Sequence, residues 1–152
     1  MTYISADLNT IRDHLKKIDS KSTPLWGIMS PQRMIEHLTD AINLSRGKHD
    51  FKLELKEEHV PKAQAFLISD HPLPKNFKAT FAPENALIRN NNITEAILEF
   101  EKSWKRFIAD YTANPEKKSL HPNFGALDFE LWKRLHSKHV THHLAQFGIQ
   151  CQ

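Results

Sequence analysis

The apolar residues Ile4, Leu8, Ile11, Leu15 and Ile18 recur at steps of three or four. On a helix of 3.6 residues per turn that spacing lines up one face, so it predicts a first amphipathic helix over 4–18. Ser30 followed by Pro31 supplies an N-cap and a proline tolerated in the first turn, and Met34, His37, Leu38, Ala41 and Leu44 carry a second stripe as far as Gly47. His37 lies on that stripe. Ile93, Ile97, Phe100, Trp104, Phe107, Ile108 and Tyr111 give the clearest helix, closed out by Pro115. Asp128 caps a last helix, in which Leu131, Trp132, Leu135, His139, His142, His143 and Phe147 keep the spacing until Gly148.

Between 48 and 92 the pattern weakens. Glu57 to Ile68 reads as a short helix, whereas Pro72, Pro74, Pro83 and the run Asn90, Asn91, Asn92 mark irregular chain. Four long helices with one long central connection predict an all-α fold in a single domain over 1–152. The expected form is a four-helix bundle, whose second and third long helices run parallel if the connection crosses its length. The inward stripes assign Leu38, Trp104, Phe107, Leu131 and Leu135 to the core.

A chain of 152 residues can bury a substantial core without disulfide or metal staples. No segment approaches the roughly 18 consecutive apolar residues of a membrane span, and Met1 to Lys17 does not read as a secretory signal. With Cys151 as the only cysteine, no intrachain disulfide forms. A reducing, cytoplasmic setting is therefore expected. The net charge of +3 is modest, and Lys16, Lys17, Lys102, Lys105, Arg106, Lys133 and Arg134 are interleaved with acids and apolar residues. That is a solvated helix surface, so neither nucleic acid nor membrane is an expected partner.

The ten histidines are the unusual feature, and four of them fall between His136 and His143. Residues four apart stand one turn above each other, so His139 and His143 can point two imidazoles at one ion. The HxxxH spacing is weak by itself, because a histidine-rich exposed face satisfies it too. Its context is stronger: these two histidines share a stripe with Trp132, Leu135 and Phe147, and His37 shares one with Met34 and Leu38. Three imidazoles projecting into one interior need hydrogen bonds or a metal, since an unpartnered buried polar group costs about 1–3 kcal/mol. Three imidazoles suit zinc, nickel, iron(II) or copper and leave a coordination position open. His136 competes for the same face as His139, and His142 is one position off, reading as a residue behind the ligands or at the surface. Asp40, one turn after His37, is placed to orient a ligand, to replace one, or to face solvent. Each histidine, His37 above all, also fits an ordinary core residue bonded to a carboxylate or carbonyl.

Trp26-Gly27-x-Met29-Ser30-Pro31-x-x-Met34-x-x-His37-Leu38 resembles the second-helix motif of the DinB/YfiT-like metalloenzyme superfamily. His121-Pro122-x-Phe124-Gly125, followed by Trp132, His139, His142-His143-Leu144 and Gln146-Phe147-Gly148, resembles its C-terminal motif. With Pro74-Lys75-Asn76 between them, these blocks span most of the chain. The resemblance implies a four-helix bundle holding a divalent metal (Zn, Ni or Fe) on His37, His139 and His143. It also implies a homodimer and an enzyme that uses a low-molecular-weight thiol on a small-molecule substrate, as a transferase or hydrolase. A non-enzymatic metal-binding or stress-response module is the alternative. A related branch active in ergothioneine synthesis carries HxxxHxE, where this chain has Ala145; that departure weakens an oxygenase-like reading, and Gln146 is not assumed to replace the glutamate. His71 to Asn92 brings Lys75, Phe77, Lys78, Phe81 and Arg89, which would cover an anionic substrate if the segment folded over the site.

Overall fold

A computed structural model of the chain describes residues 2–75, 79 and 81–151. The described residues are mostly helical: α1 (Leu8–Leu15), α2 (Pro31–Leu44), α3 (Val60–Ile68), α4 (Ile93–Ala113) and α5 (Phe129–Gln146). A single 3-10 turn, Glu57–His59, leads into α3, and a two-stranded hairpin, β1 (Ser119–His121) and β2 (Gly125–Leu127), separates α4 from α5.

The caps act where the sequence puts them. Ser30 accepts from the Arg33 N–H at 3.1 Å, and Asp128 from the Leu131 N–H at 2.9 Å, each satisfying a donor that a helix start leaves free. Helix α1 is shorter than its stripe. Asp7 accepts from both the N–H and the hydroxyl of Thr10, which starts the helix late, while Ile4, outside the helix, donates its N–H to the Thr141 hydroxyl at 2.9 Å. Ile4 and Ile18 are nevertheless buried. Period alone cannot tell a helical residue from one outside the helix that reaches the same core.

Arg89 and Asn90, just before α4, hydrogen-bond Glu36 near the start of α2, whereas Tyr111 and Asp110 near the end of α4 meet Ser45 and Arg46 just beyond α2. Helices α2 and α4 therefore run side by side in the same direction. Helix α5 opposes α4: its first residue, Phe129, stacks on Tyr111, and His136 lies against Trp104. One core takes in Ile11, Met34, Leu38, Phe100, Trp104, Phe107, Trp132 and Leu144. Trp104, Phe107, Leu135 and Leu38 are buried as their stripes predict, but Leu131 is only partly so, because it sits in the first turn of α5 at the core's edge.

The hairpin is absent from the helical pattern of the sequence, and it explains the His121-Pro122-x-Phe124-Gly125 motif. His121 pairs with Gly125, the Asn123 N–H bonds the His121 Nδ1 at 3.0 Å, and the Pro122 carbonyl accepts from the Glu54 N–H at 2.8 Å. Gly125 has φ of +79°, and a Cβ there would come within 2.8 Å of Val60 Cγ1. Glycine is needed both for the left-handed backbone and for the close approach of α3.

Candidate metal centre

Helix α2 carries His37 into the interior and α5 carries His139 and His143, one turn apart. The Nε2 of His139 stands 3.0 Å from that of His37 and 3.1 Å from that of His143. One ligating nitrogen from each of the three lies within 4.8 Å of the others. Zinc–nitrogen bonds of 2.0–2.1 Å put tetrahedral ligands about 3.3–3.4 Å apart, so the two contacts of His139 are within a few tenths of an ångström of that spacing.

The protons of the cluster cannot satisfy all of its nitrogen contacts. The amide of Gln146 has its orientation set by Nε2, which donates to the Trp26 carbonyl at 2.9 Å; its Oε1 then accepts from the His143 Nδ1–H at 2.7 Å. A neutral His143 protonated at Nδ1 presents a bare lone pair at Nε2. The His139 Nε2 faces that nitrogen and the His37 Nε2, and with either one proton to give or one lone pair to offer it can satisfy only one of the two contacts. One N···N approach is left without a hydrogen. A cation accepting all three lone pairs removes that conflict, so the donor set fits a divalent metal.

Burial also keeps the centre uncharged. It lowers His37 to about 4, helped by the nearby Arg33 guanidinium and by His142. Burial, reinforced by neighbouring imidazoles, holds His139 and His143 well below the ordinary histidine value. All three are neutral near pH 7, the form that binds a metal. His139 keeps partial exposure.

The remaining sequence candidates go elsewhere. Asp40 pairs with Arg33 at 3.1 Å and Arg89 at 2.9 Å, and the buried His37 Nδ1 has no hydrogen-bond partner, so Asp40 does not orient that ring. His136 is 1% exposed between Trp104, Phe107 and Trp132, with both ring nitrogens unpartnered; it is a core residue. His142 packs edge-on to Trp26 and bonds the Leu73 carbonyl. Lys75 lies over the Trp26 ring at 4.6 Å, beside this wall. Arg89 is engaged by Asp40 and Glu99, and Phe81 packs on His121 and Phe51, so both are held by other partners rather than spread over the site. Phe77 and Lys78 lie outside the described residues.

Two supporting residues were not singled out from the sequence. Glu36 is fully buried, and its carboxylate accepts from Gln32 Nε2, the Arg89 N–H, the Asn90 N–H and Asn90 Nδ2. Burial opposes its charge, but those hydrogen bonds outweigh it and hold the group below the usual glutamate value. It ties the entry to α4 onto the turn of α2 that carries His37. The other is Gln146, whose only sequence signal was its place in the C-terminal motif. No family model, curated protein or solved structure matches the chain.

Proposed function

We propose that the chain is a divalent-metal-dependent enzyme of DinB/YfiT-like four-helix-bundle architecture, acting as a thiol-dependent transferase or hydrolase. The observation that carries the reading is the convergence of three neutral imidazole nitrogens with no fourth protein ligand in the cluster among the described residues. Catalytic zinc sites keep such an open position, whereas structural ones close it. A bound Zn, Ni or Fe ion supplies a Lewis acid that lowers the pKa of a thiol or water at that position.

The chain's own part is to hold and shape the site. His37, His139 and His143 fix the ion. Trp26 and His142 wall that neighbourhood with aromatic surface, and Lys75 over Trp26 adds positive charge suited to an anionic co-substrate. Among the described residues no helix is long and apolar enough to cross a membrane.

The test is metal content of untagged protein, followed by turnover in a screen of thiol-transfer and hydrolysis reactions with metal-stripped and reloaded samples. Metal-dependent turnover is expected. A tightly bound ion with four protein ligands and no exchangeable position replaces this reading with a structural-metal module. Protein that takes up no metal leaves a helical interaction protein.

A further inference from the structure

Gln146 joins helix α5 to the segment 25–27 beside the histidine cluster. Its side chain accepts from the Nδ1 of His143 at 2.7 Å and donates to the Trp26 carbonyl at 2.9 Å. Its own backbone carbonyl accepts from the Leu25 N–H at 2.7 Å. Gly27, which follows Trp26, has φ of +75°, and a Cβ there would come within 3.0 Å of Gln146 Nε2. The segment 25–27 is thus built closely around this one amide, which is 3% exposed.

We propose that Gln146 is the positioning residue of the metal centre, setting the His143 tautomer and coupling His143 to the segment 25–27. The inference rests on the metal reading above. Both ends of the amide are needed: Oε1 holds the proton of His143 on Nδ1, which leaves Nε2 free for the ion, and Nε2 secures the loop that carries Trp26. A partner of this kind on a ligand's second nitrogen raises its basicity and fixes the plane of the ring. Trp26 also touches His142 and Lys75, so the same bond holds the aromatic wall in place.

The experiment uses cobalt(II) as probe on the 152-residue chain, comparing wild type, Gln146→Ala and Gln146→Glu. Affinity and the visible cobalt spectrum report the centre, and hydrogen exchange of a peptide covering 22–30 reports the loop. Gln146→Ala should bind cobalt about 10- to 100-fold more weakly, with a changed spectrum and faster exchange in the loop. Gln146→Glu keeps an acceptor for His143 but lacks the donor for Trp26. It should retain cobalt binding and lose loop protection, and a merely structural glutamine would not separate those readouts. Circular dichroism checks the folding of Gln146→Ala, and the near-isosteric glutamate variant keeps the test decisive if alanine unfolds the chain. Wild-type affinity in Gln146→Ala, or equal losses of affinity in both variants, overturns the role of Gln146 alone. A wild type that binds no cobalt overturns the metal reading and this inference with it.

Discussion

The Nε2 atoms of His37 and His139 stand 3.0 Å apart although 102 positions separate the two residues along the chain. Their meeting requires α2 and α5 to pack with these turns in register, and His143 joins them through the next turn of α5. A cluster assembled that way can be dismantled one ligand at a time.

His143→Ala should abolish stoichiometric zinc binding while keeping helical content, because the core of Ile11, Met34, Phe100, Trp104 and Trp132 does not depend on it. His142→Ala should still bind one equivalent, since that ring faces Trp26 and the Leu73 carbonyl. Elemental analysis and circular dichroism of the two variants decide the matter. Unfolding of His143→Ala would make the centre structural.

Trp104 is 3% exposed and packs on Phe100, Phe107 and His136. Trp104→Ala should lower stability by roughly 3–5 kcal/mol in urea unfolding. A loss below about 1 kcal/mol would show the site collapsing onto the void or the stripe lying at the surface.

Acid should destabilise the fold well before its carboxylates titrate. Burial lowers His136 and His121 to about 3 from an ordinary 6.5, with neighbouring histidines adding to the effect. Their folded-state pKa values are depressed, so below pH 6.5 the unfolded chain takes up protons that the native chain refuses. Stability is complete above about 6.5 and falls as the pH drops toward 3. Urea midpoints measured in chelator across that window should decline. His136→Leu should flatten the slope, because it removes a titrating group whose nitrogens have no partners. An unchanged slope would assign the acid sensitivity to other groups.

Glu36→Ala should be among the most damaging single changes in α2. It strips an acceptor from the part-buried donors of Gln32, Arg89 and Asn90 at once, and a donor left unpaired where water cannot reach it costs about 1–3 kcal/mol. Zinc affinity should fall as well, since His37 is the next residue. Unfolding midpoints and metal titration of this variant, with Asp40→Ala as the more exposed comparison, measure both effects.

The long helices and the three convergent histidines were legible because burial imposes one period on everything that faces inward. Imidazoles on the stripes of Met34 and Trp132 had to meet in the interior. What the period could not carry was polarity placed against it. Glu36 sits on α2 as an ordinary acid in sequence, and only the fold of 89–90 back onto it makes it a buried anchor. The hairpin at 119–127 is too short to leave an alternating signature, and its glycine is explained by Val60, distant in sequence. Asp40 had three readings from its spacing, and Arg33 and Arg89 settle its place as an ion-pair partner.

Because α2 and α4 lie side by side in the same direction, no short turn can join them, and the chain from Ser45 to Asn92 must be carried back along the molecule before they pair. Helix formation is fast and local, but this pairing is not. The folding rate should therefore be set by closing that long loop rather than by forming any helix. An ion held by His37 on one side of the crossover and by His139 and His143 on the other would bind only the chain that has completed it, and so would slow its reopening.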